Sequence, residues 1–266
     1  MSVLAPEISN VAMSFLIVFV LIPVSLSYFY ALGMEKSILW SSLRGFIQLI
    51  VIGYVLTFLF SLEAFTGISI MLTVMITVAS FHASQKGTGI PNIRAIVFLV
   101  ISLVSVLVIL MWLTFQMIDF KPDQVIPMSG MVIGNSMVAI GLALERMKSE
   151  FKEGSGRILA ALSLGATPKK ASRILVKRVV KASMIPNVDG LKTIGLVQLP
   201  GMMTGLILGG VAPIDAIRYQ IVISLSIFAS VSLSAMIVTM ISYRYFFNKD
   251  SQLVTMTEGE QLEGGG

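Results

Sequence analysis

Cysteine is absent from all 266 residues, histidine occurs once, at His82, and only 12% of the chain is charged. The first absence excludes disulfides, zinc–thiolate sites and thiol chemistry. A single histidine leaves too few imidazoles for a metal centre of the usual donor set. The scarcity of charge excludes an ordinary soluble domain, which carries about a quarter of its residues as Asp, Glu, Lys and Arg. No Gly-x-x-x-x-Gly-Lys-Ser/Thr run occurs, so the chain has no P-loop with which to hydrolyse nucleotide. Nothing in the sequence points to an enzyme.

What remains is apolar. Hydrophobic residues make up 56% of the chain and the mean hydropathy is +0.91. Several uncharged runs reach about 20 residues, the length that crosses a ~30 Å hydrocarbon layer. Seven segments stand out, at 11–32, 38–60, 66–83, 95–118, 125–144, 191–211 and 219–243. They are continuous rather than alternating, which predicts helices. The expected fold is an all-α integral membrane protein with about seven transmembrane helices. Residues 1–258 form one permease-like transmembrane domain, with an arm at 145–190 inside it. The segment 11–32 is too long for a signal-peptide core and is expected to stay as a first span. The 259–266 tail ends in "LEGGG", resembles a cloning remnant and is set aside. No internal repeat supports the inverted-repeat plan of many secondary transporters.

A net charge of +5 suggests no nucleic-acid partner here, because in a membrane protein the placement of cations matters more than their sum. With the N-terminus outside, the inner side collects sixteen Lys and Arg, eleven of them between Arg146 and Lys192, against Lys121 and Arg218 outside. This predicts an N-out, C-in topology in a plasma membrane, the bacterial inner membrane, with the 145–190 arm in the cytoplasm.

The arm carries the most turn-like stretch of the chain, "SLGATPKKAS", Ser163 to Ser172. Residues 145–164 extend the fifth span as a helix, weakened by Gly154 and Gly156. Gly165 suits a helix C-terminus, Thr167 an N-cap and Pro168 the first turn of a second helix, predicted to run to about Met184. That helix carries Lys169, Arg173, Lys177 and Lys181 at i, i+4 spacing, with Leu175, Val176, Val179 and Val180 elsewhere. A basic amphipathic helix of this kind also suits the surface of an anionic leaflet. A packed helix–elbow–helix moves as a body and so is able to transmit displacement from a soluble partner.

The run "AALSLGATPKKAS" resembles the coupling-loop motif of ABC transporter permeases, Glu-Ala-Ala, three residues, then Gly. Ala160, Ala161 and Gly165 match it, while Leu159 stands where the glutamate is usual. The stretches 35–56, 124–142, 163–172 and 185–220 together resemble the FetB-type iron-export ABC permeases, in the same order. That resemblance implies a permease subunit that forms a homodimer, pairs with a separate cytosolic ATPase and takes part in metal export. Leu164, Gly165, Ala166, Thr167, Pro168 and Lys169 would then enter the ATPase groove, with Thr167, Lys169 and Lys170 making its contacts. This chain would bind no cofactor; ATP and Mg would be held by the partner.

Within the spans, Gly201, Gly205 and Gly209, and more briefly Gly130 and Gly134, form small-residue stripes suited to helix packing or a dimer interface. Arg44 and Gln48, one turn apart, should face a protein interior or a watery cavity, although Arg44 is also near enough to the inner end to snorkel. Asn135 suits a pathway or an interhelical hydrogen bond, and Gln198 a pore or interface. Asp189 suits a gate or the N-cap of the sixth helix. Met128, Met131, Met137, Met202 and Met203 offer thioethers for a soft metal or flexible packing; the metal ligands themselves are unknown. A stand-alone secondary transporter or channel is a competing reading, disfavoured by the lack of acidic residues in the spans. A membrane scaffold with a basic arm is another; it does not explain the polar residues within spans.

Overall fold

The computed structural model describes residues 9, 13, 15–197 and 199–254. Its described helices are α1 (Ile17–Phe29), α2 (Glu35–Phe60), α3 (Ala64–Ser84), α4 (Ile93–Thr114), α5 (Pro122–Glu153), α6 (Ser155–Ser163), α7 (Pro168–Thr193), α8 (Gly201–Leu208) and α9 (Pro213–Ser242). Five are long and apolar enough to cross a membrane: α2, α3 with its following 3-10 turn, α4, α5, and α9 with its own 3-10 extension. The other two of the seven expected spans are not among these five. The first is described as a helix of 13 residues. The sixth is not one helix, because the chain leaves helical geometry between Thr193 and Gly201.

The bundle is organised around α5, which packs on α3, α4, α7 and α9. At 32 residues it is about 48 Å long, some 18 Å more than the hydrocarbon layer. The excess is its charged last third, which still buries Met147, and the apolar part supplies Val125, Ile133, Ile140 and Leu144 to the core. In α4 a buried stripe at Val97, Val100, Val104 and Val108 repeats every three to four residues, as one face of a helix requires. The stripe ends at Trp112, which is fully buried and donates its indole N–H to Ser226 Oγ of α9 at 2.7 Å.

The first two helices stand apart. α2 has a single buried residue, Leu59, and its main neighbour is α1. Their turn is locked by Ser27, whose hydroxyl donates to Glu35 Oε1 at 2.7 Å and accepts the Met34 backbone N–H at 3.0 Å. At the opposite end of the chain, Phe246 stacks on Phe151 with ring centroids 4.3 Å apart. That contact brings the C-terminal ends of α5 and α9 together.

Candidate functional site

The elbow between α6 and α7 has the expected backbone. Gly165 has φ +82°, a left-handed conformation that costs a residue with a Cβ roughly 1–2 kcal/mol. Its N–H donates to the Leu162 carbonyl at 2.9 Å and that of Ala166 to the Ala161 carbonyl at 3.0 Å, the paired bonds of a Schellman C-cap. Thr167 is extended at the N-cap of α7, and its carbonyl accepts from Lys170 and Ala171, both at 2.9 Å. The Thr167 hydroxyl makes no cap bond; Pro168 presets the first turn instead. Leu164 stands at the tip, 89% exposed, beside exposed Gly165, Thr167, Lys169 and Lys170.

Behind this tip the arm is rigidly braced. The long helix expected across 145–164 is broken at Gly154 into α5 and α6. A Cβ at Gly154 would meet the Leu175 side chain and, at 2.8 Å, the Glu150 carbonyl, so glycine is what lets α7 approach this corner. Ile158 is fully buried there, as are Leu175 and Val179 of α7. Glu150, 9% exposed, lies 3.5 Å from Arg146 and 3.6 Å from Arg178, tying α5 to α7. Lys86 pairs with Glu145 at 3.1 Å and ties the end of α3 to the same corner. Sequence reasoning did not single out Glu150, because one acidic residue among many charges carries no mark of burial.

α7 does not stop near Met184. It continues through Pro186 to Thr193, where the chain turns with Gly195 at φ +81°. Asp189 is consequently inside α7 and not at an N-cap; it pairs with Lys192 at 2.8 Å, one turn along the same helix. Leu196 and Val197 are 89% and 82% exposed on irregular backbone. Gln198 lies outside the described residues.

Beside this break is a cavity of about 280 Å³ whose polar lining is Asn187, Gln220 and Ser224. Gln220 donates from Nε2 to Ser224 Oγ at 2.8 Å, while its Oε1 is buried with no partner. Pro186 has no N–H for the Ala182 carbonyl one turn back. Hydrogen-bonding groups without partners thus gather where α7, the break and α9 meet. Asn187 and Gln220 were missed in the sequence; the available signal was Pro186 and Gly190 flanking Asn187 and Asp189 just before the expected sixth span.

The other candidates are dispersed. Arg44 and Gln48 are exposed on α2, not turned into the interior of the chain. Asn135 donates to its own helix, at the Met131 carbonyl, 2.8 Å, so the interhelical bond is replaced by an internal one. Cβ atoms at Gly134, Gly201 and Gly205 would meet nothing, Gly130 has only Met75 Sδ at 3.5 Å, and Gly209 only the carbonyls of its own helix. Apart from Gly130 beside Met75 of α3, these glycines therefore do not mediate close helix packing within one chain, and α8 has no buried residue. Met128 is in the core, with Met131, Met137 and Met202 packed against it, and Met203 is half-buried. Among the described residues no three His, Asp or Glu side chains group as a metal site.

An all-helical bundle with five membrane-length helices and a braced, projecting elbow defines a polytopic membrane protein. The chain belongs to the family described as Uncharacterised protein family (UPF0014), whose model matches residues 10–247. It is 38% identical to the "Probable iron export permease protein FetB" of Escherichia coli (strain K12), over 93% of this chain and 96% of that protein. It is 37% identical to the "UPF0014 membrane protein YjkA" of Bacillus subtilis (strain 168), over 91% and 97%. Identity to "Protein ALUMINUM SENSITIVE 3" of Arabidopsis thaliana is 35%, over 90% and 88%. No solved structure matches the chain significantly.

Proposed function

We propose that this chain is the permease subunit of an ATP-binding-cassette transporter that exports a metal ion such as iron, works as a homodimer and is driven by a separate cytosolic ATPase. The observation that carries the reading is the elbow: an apolar tip, Leu164, held out in water on a Schellman-capped turn whose base is fixed by Glu150, Gly154 and Leu175. An exposed leucine on a rigid projection gains by entering a groove, and full burial of such a side chain is worth about 1.5–3 kcal/mol. The Escherichia coli relative's name points to iron and to export. The ATPase partner would bind the ATP and Mg. Positive charge at the elbow end supports an orientation with that end on the cytoplasmic side of a bacterial inner membrane.

The homodimer reading follows from what one copy leaves uncovered. Leu196, Val197 and the open glycines of α8 form an apolar face with irregular backbone beside it, and lipid does not satisfy unpaired backbone groups. A second copy covers that face and permits the close approach that Gly201 and Gly205 allow. Arg44 and Gln48 on the outer side of α2 are likewise costly in lipid and suit a shared, watery path. The unpaired Gln220 carbonyl oxygen and the Asn187 amide beside it give cargo a weak hydrogen-bonding station, as an exporter requires. Replacing Gly165 with tryptophan and, separately, Leu164 with aspartate should leave membrane levels normal while abolishing ATPase co-purification and stimulated turnover. Normal co-purification and transport by both variants would overturn the reading.

A further inference from the structure

A second concavity, of about 570 Å³, lies between α7 and α9, distinct from the cavity at the helix break. One edge carries Lys177 and Lys181, one turn apart and exposed. Neither has an ion-pair partner among the described residues: Glu150 is occupied by Arg146 and Arg178, and Asp189, at the far end of the groove, by Lys192. The floor is apolar, built by Val180 and Met184 of α7 and by Met236 and Met240 of α9. Met236 and Met240 both remain exposed toward the outside of the bundle.

The depth of the groove is set by α9. Met240 and Met236 lie roughly 3 and 9 Å before the helix ends at Ser242 at 1.5 Å per residue, with Arg244 following. The methionines thus belong to the last apolar turns of α9, and the lysines stand beside them on the charged side of α7. The remaining apolar face of α7 is spent on the protein's own core, through Leu175 and Val179, so this helix does not lie freely on a membrane surface. A cationic rim over a thioether floor, open sideways at membrane depth, matches one class of molecule: a phosphate ester bearing an acyl chain. Methionine suits such a floor because its unbranched, polarizable side chain adapts to a flexible tail.

We propose that this groove binds an anionic phospholipid from the leaflet on the elbow side. Its phosphate is held by Lys177 and Lys181, and one acyl chain lies over Met184, Met236 and Met240. Bound there, the lipid bridges α7 to α9 and so stiffens the base of the elbow. The site requires only that the chain be in a membrane; it does not depend on the transport reading.

The test uses the purified full chain in detergent, with native mass spectrometry and thermal unfolding in the presence of phosphatidylglycerol, phosphatidylcholine or inorganic phosphate. Phosphatidylglycerol should be retained and should raise the melting temperature, whereas the other two should not. The variant Lys177→Gln/Lys181→Gln should unfold normally without lipid and bind phosphatidylglycerol about 30-fold more weakly, from the contribution of two lysines near an anionic headgroup. The charge-matched control Lys152→Gln/Lys249→Gln should bind as the native chain does. Undiminished binding by the groove variant, equal retention of phosphatidylcholine, equal protection by phosphate, or an equal loss in the control would each overturn the proposal. So would photo-crosslinking from position 236 that captures a second copy or another protein in place of lipid.

Discussion

Replacing Glu150 with glutamine, and replacing Arg146 and Arg178 together with methionine, remove the same two ion pairs but leave different groups behind. The two arginine side chains are 51% and 55% exposed, whereas that of Glu150 is 11% exposed. After Glu150→Gln the guanidinium groups turn to water, and the loss is that of two half-exposed pairs, about 1–2 kcal/mol together. After the double arginine replacement a carboxylate stays enclosed between α5 and α7 with no cation, a situation that costs about 3–5 kcal/mol. The triple variant, which also carries Glu150→Gln, removes that orphaned charge and should recover most of the difference. Equilibrium unfolding of the purified protein in mixed micelles, followed by circular dichroism, gives the three values. Limited proteolysis at the elbow should rank the variants in the same order. A double arginine variant as stable as Glu150→Gln, or a triple variant no better than the double, would refute the claim that burial of Glu150 braces the arm.

Gly154→Ala should destabilise the protein by about 1–3 kcal/mol in the same unfolding assay, since its methyl group has to displace Leu175 and a backbone carbonyl. Ser226→Ala leaves the buried indole N–H of Trp112 without its acceptor and should cost about 1–3 kcal/mol. Adding Trp112→Phe should bring the total well below the sum of the two single losses. Because the chain has no cysteine, Leu196→Cys supplies a background-free probe of the homodimer. Oxidation in native membranes should yield a disulfide-linked pair, and persistent monomer there and with Gly205→Cys would count against a dimer face along this segment.

Continuous hydrophobicity made α2, α3, α4, α5 and α9 legible, because a run that must satisfy its backbone in lipid has few alternatives to helix. The elbow was legible for a local reason: Gly165, Thr167 and Pro168 each have a strong backbone preference, and the three agree. The break after Thr193 was hidden because Ile194 to Val211 is apolar but for Gln198 and Thr204, and hydropathy does not register a left-handed glycine at 195. Asp189 was misplaced because the second arm helix was expected to end near Met184, whereas it runs on through Pro186 to Thr193. Burial of a particular charge, as at Glu150, depends on which neighbours converge on it, and no local pattern records that. The outward placement of Arg44 and Gln48 belongs to the same class, because a polar stripe on one helix does not say which surface it will meet.

The hydrogen bonds from Ser27 at the turn between α1 and α2 reach partners only seven and eight residues away. Those helices leave the ribosome before α3, α4, α5 and α9 exist to receive them. Each helix closes its own backbone hydrogen bonds in lipid, and the turn that joins these two, closed by Ser27 and Glu35, is complete once α2 has been made. The turn between α1 and α2 thus needs nothing made later, so synthesis from the N-terminus is able to close this hairpin before the helices around α5 gather, with Arg44 on its surface in the interval.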